Sequence, residues 1–300
     1  MNPEPDYPPH AASPEPLSPL EARRQQAIKE QTILHERMST IKHKIAIISG
    51  KGGVGKSTVS VNLAAAFAKA GYQVGLLDAD IHGPSVPRLL GLKGQQVKIT
   101  REGAYPVPGP FGMKVISIDF FLSEEIPTIW RGPLKMGAIR QFLQDVIWAD
   151  LDVLFIDLPP GTGDEPLSIA QLLPEIDGVI VVTMPTELSS GIVKKAITFA
   201  RRLNMPIIGV IENMSSFICP HCGAKTEIFQ TGGGKRIAQE AGVDFLGSLP
   251  IDPSVGVDAD QGNPFMIAHP DSDIAKAFAE IVHKIQSYLK QHSQQNTKTA

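Results

Sequence analysis

The 300-residue chain reads as a doubly wound α/β fold on a mostly parallel sheet of about seven or eight strands. Three observations predict it. From Lys44 onward, seven short runs rich in β-branched residues ("KIAIIS", "QVGLL", "KVISI", "DVLFI", "GVIVV", "PIIGVI" and "DFLGSL") are almost continuously apolar, as parallel strands buried on both faces must be. Segments of helical length separate them, at 57–70, 132–147, 188–203 and 234–241, and these suit crossover helices. The first run ends in a glycine-rich turn, "SGKGGVGKST", that opens the first of those helices.

The elements follow in order. Residues 1–19 hold seven prolines and few aliphatic side chains. That surface is too small to offset the entropy of ordering, so a disordered tail is expected. Residues 20–40 are charged, with sparse apolar positions at Leu20, Ile28, Leu34 and Met38, which predicts a solvated helical arm. The α/β domain spans 41–290. Its last segment, Asp273 to Leu289, places Ile274, Phe278, Ile281, Ile285 and Leu289 on one face, a pattern for a helix packed on the sheet. Residues 291–300 are expected to fray.

Composition narrows the class. With 42% hydrophobic and 20% charged residues the chain supports one large globular domain. A net charge of -3 gives no electrostatic reason to expect nucleic acid or an anionic membrane as partner. No apolar run is long enough to span a bilayer and the N-terminus lacks a secretory layout, so a cytoplasmic location is expected. In that reducing setting the only two cysteines, Cys219 and Cys222, suit metal or redox work better than a structural disulfide.

The glycine-rich turn fits G-x-x-x-x-G-K-[ST]. In this pattern backbone N–H groups of Gly50, Gly52, Gly53, Val54 and Gly55 wrap a phosphate and the helix adds its positive end. Lys56 neutralises the β and γ oxygens, Ser57 ligates Mg²⁺ and Thr58 is placed to bond the α-phosphate. The second apolar run ends in "DADIHGPSVP", which sets Asp78 and Asp80 at the carboxyl edge of the sheet, where open α/β sheets bind ligands. Asp157 closes "DVLFI" as a Walker B aspartate does, holding Mg²⁺ through its water shell. Residues 161–164 are expected to sense the γ-phosphate. Asp150 and Asp152, at the other end of that strand, read as turn residues.

"KGGVGK" carries a second lysine, Lys51, that an ordinary P-loop does not require. This form resembles the deviant P-loop of the family that contains MinD, ParA, the arsenite-pump ATPase and the nitrogenase iron protein. The resemblance implies a face-to-face dimer in which Lys51 reaches the partner's phosphates; an exposed loop cation is the plain alternative. It further implies that Asp80 positions the attacking water, with Asp78 nearer the metal. Asn213 would bond the adenine, and Pro250 and Asp252 would flank the ring. Asn213 capping a turn is the plain alternative there.

The segment "CPHCG" has no purpose in such an ATPase. A thioredoxin-type dithiol, a zinc site within one chain and a four-cysteine site shared across a two-fold axis all use this spacing. Thiolates suit Zn²⁺ or an iron–sulfur cluster, and the spacing leaves these open. "KGGVGKST", "LLDADIHGPSVPRLLG", "IWRGP", "DLPPGTGDEPLS", "GVIENMS" and "CPHCG", in this order, resemble the Mrp/Nbp35 (ApbC-like) iron–sulfur cluster carrier ATPases over about residues 40–290. The resemblance implies a homodimer bridging a [4Fe–4S] cluster through Cys219 and Cys222 of each chain. ATP hydrolysis would accompany transfer of the cluster to apo iron–sulfur proteins. A partitioning or positioning ATPase of the ParA or MinD kind and a zinc-bridged regulatory ATPase are the alternatives. Two departures are plain: the four-cysteine extension of eukaryotic members and the N-terminal domain of many bacterial ones have no counterpart in these 300 residues.

Overall fold

The computed structural model describes residues 18–121, 143–173, 176–185, 187–219, 221–228 and 232–299. Residues 1–17 of the expected Pro-rich tail, "IWRGP" with Arg131, and most of the 132–147 segment lie outside them, while Ser18 and Pro19, also read as tail, cap and open the first helix. Leu143 to Asp145 are helical, and Val146 already bridges to Ala104, so that helix ends before Ile147.

All seven apolar runs are strands. β1 (Ile41–Ser49), β2 (Val74–Asp78), β6 (Lys114–Ser117), β7 (Leu151–Asp157), β8 (Gly178–Thr183), β9 (Ile207–Ile218) and β11 (Phe245–Ile251) form the parallel body of a nine-stranded sheet. With β5 (Val107–Pro108) and β10 (Lys225–Thr226) its order is β10-β9-β8-β1-β7-β2-β6-β5, and β11 also pairs with β9. The other two strands, β5 and β10, pair antiparallel to β6 and β9. Both are two residues long, too short to leave a periodic trace in sequence. A separate hairpin joins β3 (Lys98–Ile99) and β4 (Ala104–Tyr105).

The double covering follows from strand alternation. Ile45 and Ile47 enter one core with Phe67, Phe278, Ile281 and Ile285. Ala46 and Ile48 enter the other with Ile169, Val193, Ile197 and Ile237. The helices responsible are α2 (Lys56–Lys69) and the long C-terminal helix Asp273–Thr299 on the first face. On the second lie three further helices, Asp164–Leu172, Glu187–Arg202 and Gly233–Ala241. The C-terminal helix continues to Thr299 where fraying was expected. Its last ten residues include Lys and Gln, good helix formers, and no Gly or Pro. Among the described residues no helix is long and apolar enough to cross a membrane.

The N-terminal arm is only half solvated. The helix α1 (Pro19–Ser39) starts at a capping box, in which the Glu21 backbone N–H donates to Ser18 Oγ and the Ser18 N–H to Glu21 Oε2. Leu20 and Ile28 are exposed, but Leu34 and Met38 enter the second core beside Ile41 and Trp148. Leu34 and Met38 are four residues apart and so share one helical face, which docks the last two turns. Arg37 also donates to the Glu102 carbonyl and Gln144 to the Glu30 carbonyl. Met38 is 1% exposed, so Met38→Ala should cost about 2 to 5 kcal/mol, read as a lower urea midpoint at unchanged slope. A cost below about 0.5 kcal/mol would place α1 outside the cooperative fold.

Candidate functional site

The carboxyl ends of β1, β7 and β2 meet at one point. In the sheet register Ile47 pairs with Asp157, and Asp157 with Asp78. β1 runs into the glycine-rich turn, and α2 begins at Lys56 directly after Gly55. Gly55 has φ of 78°, and a Cβ there would stand 2.3 Å from Asn213 Nδ2. Both facts require glycine at this position.

Lys56 is buried, and its Nζ lies 2.7 Å from Asp157 Oδ1. Ser57 Oγ donates to Asp157 Oδ2 at 2.6 Å, and Ser60 Oγ donates to Oδ1 at 2.6 Å. Ser57 and Asp157, the two ligand types that P-loop NTPases use for Mg²⁺, are therefore adjacent. Asp78 is buried beside them; its Oδ2 accepts from the Val86 N–H and Ser117 Oγ, and its Oδ1 from the Asp80 N–H. Burial first, and then the Asp157 carboxylate, push the Asp78 carboxyl up to about 8. The neighbouring buried carboxyl groups of Asp78 and Asp157, with Ser57 Oγ beside Asp157, form an oxygen donor set suited to a divalent cation.

Asp80 is half-buried, and its Oδ1 accepts from the backbone N–H groups of His82 and Gly83 at 3.2 Å. Lys51 is half-buried at the start of the loop. Ser49 Oγ donates to the Lys51 carbonyl at 2.9 Å, while the Lys51 ammonium makes no hydrogen bond or ion pair with a described residue. The following loop is tied in as well, since the Gly161 N–H donates to the Ser49 carbonyl at 2.8 Å.

Asn213 and Pro250 lie inside strands, where their positions after apolar runs suggested strand ends. β9 continues to Ile218 because partners continue with it. Asn213 pairs with Leu249, while Phe217 pairs with Ile251 on one side and Thr226 on the other. Asn213 Nδ2 donates to the Val54 carbonyl at 2.9 Å, which places this side chain against the phosphate loop. Asp252 caps the helix Pro253–Gln261, its Oδ1 accepting from the Ser254 N–H at 2.8 Å.

The cysteine pair follows β9 without a break. Cys219 donates its N–H to the Ala224 carbonyl and accepts at its own carbonyl from the Gly223 N–H, 3.0 and 2.8 Å. Gly223, at φ 71°, makes the tight return possible. The backbone N–H groups of His221 and Cys222 point at the Cys219 sulfur and hold its thiol below the usual range. Cys219 is half-buried and Cys222 exposed. Among the described residues no group of three or more His, Cys, Asp or Glu is placed to hold a metal ion. One chain therefore offers two thiolates on a shared turn.

Comparison with known proteins decides the family. Residues 40–286 match the family model described as NUBPL iron-transfer P-loop NTPase, within the ParA group. The chain belongs to this family. As an iron-transfer P-loop NTPase it resembles an iron–sulfur cluster carrier protein of Saccharolobus solfataricus at 54% identity over 83% of this chain and 84% of the relative. A protein of the same description from Methanocaldococcus jannaschii is 52% identical over 84% and 87%. Among solved structures, a nucleotide-binding protein of Archaeoglobus fulgidus in complex with ADP matches with a TM-score of 0.73. It is 40% identical over 83% of this chain and 96% of that one. The MinD cell division protein of Aquifex aeolicus, at 20% identity and a TM-score of 0.59, shares the fold.

Two hydroxyls of this NTPase site, those of Ser60 and Ser117, lie outside the sequence motifs. Ser60 lies three residues beyond Ser57 and four beyond Lys56, on the same face of α2, and that spacing was the available signal. Ser117 reaches Asp78 only through the pairing of β2 with β6, a contact no local pattern announces.

Proposed function

We propose that this chain is an ATP-dependent carrier that holds a [4Fe–4S] cluster between two identical subunits and delivers it to apo iron–sulfur proteins. The cysteine turn at the end of β9 carries the reading. It presents two thiolates, where a cluster takes four, on a chain whose family members are iron-transfer NTPases. A two-fold axis beside the turn supplies the other two. The cytoplasm suits the work, because its reducing poise keeps thiols available.

ATP is the nucleotide in this reading. The backbone of Gly50, Gly52, Gly53, Val54 and Gly55 cradles its phosphates with Lys56 and Thr58, and Asn213, Pro250 and Asp252 border the base. Ser57, Asp157 and Asp78 would hold Mg²⁺. When bound, the ion neutralises charge that develops on the phosphoryl oxygens. Asp80 orients the attacking water, and Lys51 enters from the partner subunit to complete the site. Turnover is slow because the site is whole only when both subunits close.

Iron, sulfide and zinc, quantified after purification without oxygen, test the cargo. The reading predicts roughly four irons and four sulfides per dimer. Stoichiometric zinc without sulfide would favour a zinc-bridged ATPase and overturn it.

A further inference from the structure

One buried carboxylate takes no part in the chemistry above. Glu212 is 1% exposed and stands next to Asn213 on β9, flanked in register by Thr183 of β8 and Ser248 of β11. Its Oε2 accepts the Gly234 backbone N–H at 2.5 Å. Gly234 lies in the first turn of the helix Gly233–Ala241, whose positive end favours a carboxylate. The fit is close: a Cβ on Gly234 would stand 2.9 Å from Glu212 Cβ and 3.0 Å from Oε2.

Successive strand residues point to opposite faces. Asn213 therefore holds the Val54 carbonyl of the phosphate loop on one side, while Glu212 holds the helix that follows the cysteine segment on the other. The segment from Cys219 to Gly232 is thus fixed at both ends by the same strand. At its start, Phe217 and Ile218 pair with Thr226 and Lys225. At its end, Gly234 is bonded to Glu212. Between these anchors β9 is irregular: Met214 has φ of 59°, and the pairing with β11 shifts between Leu249 and Ile251. Such bulges re-aim the chain near functional sites.

We propose that Glu212 is the positioning residue that ties the cysteine segment to the nucleotide loop, so that a change at Val54 moves the thiols through β9. The inference rests on the carrier reading, which gives that movement its purpose. It is a claim of coupling between two sites, and coupling is what the test must read.

The test uses the full chain, metal-free and without oxygen. Iodoacetamide alkylation of Cys219 and Cys222 is timed by mass spectrometry with and without Mg²⁺ and a non-hydrolysable ATP analogue. In the natural chain the nucleotide should change the alkylation rate at least about fivefold, the lower end of typical coupling. In Glu212→Ala the ratio should fall to near one while affinity for the analogue is kept. Glu212→Gln should retain much of the ratio, because its amide oxygen still accepts from Gly234. Should Glu212→Ala fail to fold, Gly234→Ala serves: alanine suits the helix, but its methyl displaces the carboxylate. A purely structural role would lower the melting temperature and leave the ratio unchanged. Equal ratios in the natural chain and in either breaking variant, or no nucleotide effect in the natural chain, would overturn the proposal. Iron and sulfide content is read separately. A chain that takes up no cluster, yet loses its nucleotide response in Glu212→Ala, overturns the carrier reading and upholds the tie.

Discussion

Lys51→Ala is expected to suppress ATP hydrolysis by on the order of 10³-fold, the effect of removing a cation supplied in trans to phosphoryl transfer, with ATP affinity changed only a few-fold. The argument begins with what Lys51 does not do. Lys56 occupies the buried position beside Asp157, whereas Lys51 sits at the mouth of the loop and its ammonium has no partner among the described residues. Its backbone carbonyl is held by Ser49 Oγ, which anchors the base of the side chain, and in the proposed dimer the ammonium is the group that would reach the partner's phosphates. A group that arrives only as the subunits close stabilises the transition state more than bound ATP, so its loss falls on kcat. Equilibrium binding of a fluorescent ATP analogue and single-turnover hydrolysis separate the two. Equal losses in binding and turnover would assign Lys51 to its own subunit's phosphates.

The second large effect concerns the thiolates. Cys219→Ser, and likewise Cys222→Ser, should remove two of the four ligands of a shared cluster at once, because each substitution occurs in both subunits. A serine hydroxyl is a hard and weakly acidic donor, a poor substitute for thiolate on iron. Chain purified or reconstituted without oxygen should lose its broad visible absorbance and nearly all bound iron. Folding should be little affected, since Cys222 is exposed and Cys219 half-buried. Retention of the cluster by the double variant would remove the pair from the site.

Much of this was legible locally. The seven parallel strands announce themselves as apolar runs, and the phosphate loop is a contiguous motif whose residues meet because they are neighbours in sequence. What stayed hidden depends on distant partners. "ENMSSFI" is too polar in its middle to read as strand; it is one because β10 and β11 pair with it. Asn213 stood out only through resemblance, and its bond to the Val54 carbonyl bridges 159 residues. Glu212 carries no local signal, since its partner is a backbone N–H in the first turn of the helix Gly233–Ala241, 22 residues away. The docking of α1 leaves little trace in sequence for a related reason: two buried side chains, Leu34 and Met38, are too few to raise a helical period, yet enough to anchor two turns.

The central claim is that one cluster belongs to two chains, and native mass spectrometry of chain loaded with iron and sulfide without oxygen tests it most directly. The account predicts a single species of twice the 32.3 kDa chain mass plus one cluster of about four irons and four sulfides, falling to cluster-free chain in Cys219→Ser. A monomer carrying its own metal, or a dimer whose added mass is zinc alone, would contradict it.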